Sequence, residues 1–154
     1  MILAVGEALM EFRRSTADGV LVTPGRWDGP FASGAPANFA SVAARLGAPA
    51  ALGAAVGADR FGDALVERLA RDGVRTAAIA LLPRRATATA FLAYADSGDR
   101  DFCYSVHDSA AMGVDPDTCS QSASRATRST AARSTPIAAE SCTEYQKSRS
   151  LLSA

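Results

Sequence analysis

What this chain lacks removes several functional classes at once. Its longest apolar runs are far too short to span a bilayer, so no membrane role is expected. Lys plus Arg and Asp plus Glu each total 16, so no net field favours nucleic acid or an anionic surface. Cys103, Cys119 and Cys142 are an odd number without metal-ligand spacing. They suggest no disulfide framework, and the cytoplasm is the expected compartment. The opening Met1-Ile2-Leu3-Ala4-Val5-Gly6-Glu7 has no basic stretch and meets an acid at once, unlike a secretory leader. The one histidine, His107, reads as a surface residue. Neither Gly-x4-Gly-Lys-Ser/Thr nor Gly-x-Gly-x-x-Gly occurs, so two common phosphate-cradling loops are absent.

What is present reads as one domain and a tail. With 154 residues, 48% apolar and 21% charged, the chain has the balance of a globular protein and enough length for a core. The character changes near Met112. Within residues 113–154, Ser and Thr supply 14 of 42 positions, and the few large apolar residues follow no helical or strand period. Such a segment buries too little to offset the entropy of ordering, so a disordered, low-complexity tail is expected there.

Residues 1–112 alternate strands and helices. A short apolar run at residues 2–5 fits a buried first strand. Residues 36–46 predict a helix whose apolar face is Phe39, Val42, Ala43 and Leu46, with Pro36 in the first turn and Gly47 just past the end. Residues 50–56 read as a buried strand. A second helix follows, capped by Asp59, carrying Phe61, Leu65 and Leu69 on one side and ending at Gly73. Residues 76–82 give a further strand. Residues 87–94 and 100–106, separated by Asp96-Ser97-Gly98-Asp99, form a hairpin signature. This order implies an α/β fold, a parallel sheet with flanking helices plus an appended antiparallel hairpin.

The most informative stretch is Ser33-Gly34-Ala35-Pro36-Ala37-Asn38-Phe39-Ala40, a small-residue turn feeding a helix. Gly34 and Ala35 allow a ligand close to the backbone, the helix start offers free N–H groups, and Asn38 can donate and accept toward a polyol. Taken alone, the same spacing suits a plain loop-to-helix junction. Val56-Gly57-Ala58-Asp59-Arg60-Phe61-Gly62, Leu69 through Val74, the opening Gly6-Glu7-Ala8-Leu9-Met10-Glu11-Phe12, and Arg100-Asp101-Phe102-Cys103-Tyr104 with Ser109-Ala110-Ala111 add to it. In this order the segments resemble the PfkB, or ribokinase-like, carbohydrate kinases, the family of ribokinase, fructokinase and 2-keto-3-deoxygluconate kinase. The resemblance covers residues 1 to about 112.

The resemblance implies a ribokinase-like parallel sheet with a β-hairpin lid and a sugar over the C-terminal strand ends. Glu11 matches an acid that contacts sugar hydroxyls; otherwise it is a solvated strand-edge glutamate. Gly34 and Asn38 match sugar-contact positions. Ala35 stands where some relatives carry a polar contact, so only its backbone can help. Ser33 replaces the first glycine of the family's Gly-Gly pair. Tyr104 falls on the lid, to stack on a sugar or to pack on its own sheet. Ser105 and Val106 stand where relatives that take sugar acids carry an arginine, which disfavours an acidic substrate.

The same resemblance defines what is missing. Full-length relatives bind ATP and Mg2+ and use a Gly-Ala-Gly-Asp segment to hold the phosphates and take the acceptor's proton. No such segment occurs here. The chain therefore reads as a truncated, sugar-binding part of a kinase that binds ATP poorly and is inactive alone, its tail having the composition of a gene read out of frame. Expected partners are a small sugar and a second copy paired through the lid hairpin, with no nucleic acid and no membrane. Two alternatives stay open: a non-catalytic sugar-binding or dimerisation module, and a nucleoside kinase of the same superfamily.

Overall fold

The structure, a computed structural model, describes residues 1–115. In chain order the elements are β1 (Ile2–Val5), β2 (Leu9–Arg14), β3 (Trp27–Ser33), α1 (Ala35–Arg45), β4 (Ala50–Gly57), α2 (Arg60–Arg71), β5 (Ile79–Leu82), β6 (Ala88–Tyr94) and β7 (Arg100–Ser105), followed by a short 3-10 turn at Ala110–Gly113. The expected tail lies outside the described residues from position 116 onward.

Two sheets organise these elements. The first is parallel, in the order β1-β4-β5. β4 is its central strand and is buried along its whole length, as a strand covered on both faces must be. The second sheet has the order β3-β2-β6-β7, with β2 and β6 parallel and the outer pairs antiparallel. The expected hairpin is therefore half of a four-stranded lid. Its other half, β2 and β3, carries no clean apolar alternation, and β3 contains Gly29-Pro30. Proline is tolerated there because β3 is an edge strand, with its register shift on β2 lying between Glu11 and Arg13.

The helices show why residue size matters. α2 is amphipathic: Leu65, Val66 and Leu69 are buried, and each such side chain contributes roughly 1.5–3 kcal/mol on burial. The cap is as expected, with Asp59 accepting from the Gly62 N–H at 2.9 Å. In α1 the expected apolar face holds only at Ala43. Ala37, Ala40 and Ala43 are buried, whereas Phe39, Val42 and Leu46 are 57%, 56% and 82% exposed. The cause is close approach: α1 lies on β1 and on β4, whose facing stretch is rich in alanine and glycine, so only methyl-sized groups fit. A Ser41–Asp72 hydrogen bond of 2.5 Å ties α1 to the end of α2. The strand expected at residues 76–82 is shorter, at Ile79–Leu82, because the preceding residues turn, with the Ile79 N–H donating to the Thr76 carbonyl.

Candidate functional site

The two sheets meet along a seam. Residues 6–8 cross it from β1 to β2, Gly34 crosses it from β3 to α1, and residues 83–87 cross it from β5 to β6. The motif at residues 56–62 holds that last crossing. Asp59 Oδ2 accepts from the Thr87 N–H at 2.8 Å and Oδ1 from the Thr87 hydroxyl at 2.7 Å, while the Gly57 N–H donates to the same hydroxyl oxygen at 3.0 Å. Phe61 meets Phe12 of the lid edge-on at 5.9 Å. This motif anchors the lid rather than facing a ligand.

Over the seam lies a cavity of about 150 Å3. Leu9, Glu11, Ala90, Leu92, Phe102 and Tyr104 line it from adjacent strands of the lid sheet, and Glu7, Ser33, Gly34 and Ala35 line it from the crossings. Four of the five residues singled out in the sequence, Glu11, Gly34, Ala35 and Tyr104, thus share one hollow. Asn38 stands one bond behind it: its Nδ2 donates to Ser33 Oγ at 3.4 Å, and the Ser33 hydroxyl donates to Glu11 Oε2 at 2.8 Å. Arg13 Nε donates to the other Glu11 oxygen at 2.6 Å. Glu11 is therefore not a solvated edge residue. Its side chain is only 15% exposed and both carboxylate oxygens are held, each with lone pairs left for further donors.

Backbone conformation shapes the floor. Gly34 has φ 109°, and a Cβ there would lie 2.6 Å from the Glu7 carbonyl oxygen, so the turn requires glycine. No side chain caps α1; instead the Ala35 N–H donates to Glu7 Oε1 at 3.4 Å. The lid supplies a flat wall, with Phe102 and Tyr104 stacked at 5.6 Å and both rings partly exposed. Such a surface suits the C–H face of a sugar ring, while the Glu11 carboxylate and Ser33 hydroxyl beside it offer partners for hydroxyls. A second cavity of about 290 Å3 adjoins the first through Glu7, Leu9 and Tyr104 and continues to Val106, Ala111 and Met112. His107 is exposed and lines neither cavity. Sequence reasoning passed over Glu7, Ser33, Arg13 and Phe102. Glu7 and Phe102 lay inside recognised segments, and Ser33 was visible only as a replaced glycine.

The family model for pfkB family carbohydrate kinases matches residues 1–149. The chain belongs to that family. A fructokinase of Solanum tuberosum is 35% identical over 119 residues, which is 76% of this chain and 36% of that protein. Fructokinase-2 of Solanum lycopersicum is 35% identical over 118 residues, 75% of this chain and 35% of its own length. Among solved structures, a chain from E. coli bearing the name ribokinase II superposes with a TM-score of 0.72 and 40% identity over 76% of this chain and 38% of that one. It has also been solved in complex with ATP and Mg2+. The fructokinase of Xylella fastidiosa gives a TM-score of 0.62 and 34% identity over 71% of this chain and 33% of its own. The chain thus spans about a third of the length of the relatives it matches.

Neither helix start among the described residues of this pfkB-family chain is open to a triphosphate. A triphosphate is held by open helix N-termini and cations. Here α2 is filled by the Asp59 carboxylate and α1 faces Glu7, so both helix starts repel a phosphate. Among the described residues no group of three or more His, Cys, Asp or Glu side chains is placed to hold a metal ion. Among them too, no helix is long and apolar enough to cross a membrane.

Proposed function

We propose that this chain forms the acceptor-sugar side of a cytoplasmic, ATP-dependent carbohydrate kinase of the fructokinase or ribokinase type. The observation that carries the reading is that Glu11, Ser33 and the Gly34 backbone line one hollow together with the Phe102–Tyr104 stack, with Asn38 supporting its polar side from behind. In this reading Glu11 accepts from two sugar hydroxyls, a charge-assisted contact fixed by Arg13 and Ser33. The aromatic wall orients the ring, and the lid excludes water from it. Because the described residues offer no seat for the phosphoryl donor, the chain by itself binds sugar without transferring phosphate.

The second cavity favours one further reading, a nucleoside acceptor whose base extends along the apolar surface of Val106, Ala111 and Met112. Thermal unfolding of the chain with fructose, ribose and adenosine separates the two, since a ligand that binds only the folded state raises the midpoint. A free sugar is expected to raise it, Glu11→Ala to abolish the shift, and a coupled assay with ATP to show no turnover. A shift with adenosine alone would move the assignment to a nucleoside. Turnover by the purified chain would refute the binding-only reading.

A further inference from the structure

The cavity sorts charge by position. The lid register places side chains of one face in successive rows. Phe31, Glu11, Ala90 and Tyr104 form one row, Asp28, Arg13, Leu92 and Phe102 the next, and Tyr94 and Arg100 the last. Glu7, just ahead of β2, lines both cavities at the end nearest α1. The two carboxylates that line the cavity, Glu7 and Glu11, therefore lie toward the α1 end, while Arg100 stands toward the far edge, over the Phe102 ring at 5.9 Å.

The two carboxylates are not equivalent. Glu11 is compensated by Arg13 at 2.6 Å. Glu7 has only the Ala35 N–H at 3.4 Å, and among the described residues it forms no ion pair. One negative charge is left over where the two cavities join. In a half-buried hollow such a charge is screened far less than on an open surface, and it acts on any ligand that enters.

We propose that Glu7 is a specificity-determining residue that admits neutral sugars and rejects sugars already bearing a phosphate or carboxylate. The inference rests on the sugar-binding reading above and extends it from a polyol site to a charge filter. It also bears on the outcome of phosphorylation: a sugar that has gained a phosphate meets the same Glu7 and is held less tightly than the sugar that entered.

Calorimetric titration of the full chain with fructose, fructose 6-phosphate and gluconate tests this at low and high salt. Fructose is expected to bind at least about tenfold more tightly than either anion at low salt, with the gap shrinking as salt screens Glu7. Glu7→Gln is expected to narrow the gap several-fold at low salt. The salt series on the unaltered chain stands as the test if that variant does not fold. Anions binding as well as fructose, held by Arg13 and Arg100, would overturn the filter alone, as would a preference unmoved by both salt and Glu7→Gln. Failure of all three ligands to bind would overturn the sugar site itself, and this inference with it.

Discussion

Asp59 does more than cap a helix. Its carboxylate accepts from Gly62 at the start of α2 and twice from Thr87 at the start of the lid strand β6. Burial is the largest influence on its ionisation and opposes the charge. The hydrogen bonds from Thr87, Gly62 and Phe61 together outweigh it and hold the carboxyl below its ordinary value of 3.8. A folded-state pKa lowered in this way contributes stability that is present above 3.8 and is lost as pH falls through the folded value. Asp59→Ala is expected to cost about 2–4 kcal/mol in urea unfolding at neutral pH, combining a lost cap with unsatisfied Thr87 donors. Asp59→Asn should flatten the acid limb of the stability curve. Gly34 is a second demanding position. Gly34→Ala forces a side chain into φ 109° against the Glu7 carbonyl, at a cost of about 1–3 kcal/mol, and should weaken sugar binding more than it lowers stability.

At the scale of elements, α1 carries two stripes of opposite fate. Ala40 has no exposed surface and faces a strand that leaves no room, so Ala40→Leu is expected to destabilise by about 1–3 kcal/mol. Phe39 on the other side is open, so Phe39→Ser should change stability by less than about 0.5 kcal/mol and raise soluble yield. Chemical unfolding of both variants gives the comparison. The same helix shows what the sequence could reveal. Its existence and its ends were legible from Pro36 and Gly47, but its buried side was not, because hydrophobic periodicity weights large residues and close helix–sheet contact selects small ones. β1, β4 and the β6–β7 hairpin were legible for local reasons: apolar runs and a turn with Gly98 at φ 88°. β2 and β3 were not, since the charged pair Glu11–Arg13 stands where an apolar strand residue is expected and Pro30 interrupts the strand pattern. The site was legible only in part, because the Glu11–Ser33–Asn38 chain joins residues that no local spacing relates.

At the scale of the molecule, the described part is two sheets held at a few crossings, with an apolar helix face and the edges of its parallel sheet open. A parallel sheet is ordinarily covered on both faces and flanked by neighbours. The matched part covers only about a third of each relative, so the fold they share extends well past it. The crossings also make a mechanical statement. Glu7, Ser33 and Gly34 are cavity wall and connecting strap at once, so the lid cannot swing without reshaping the hollow beneath it. On the proposed reading a sugar lodged there is a wedge in a joint, so deuterium uptake at the amides of Glu7, Ala8, Gly34 and Ala35 is expected to slow on its arrival while that of β4 stays as it was. Affinity in this protein is then partly a measure of how stiffly one sheet is hinged to the other.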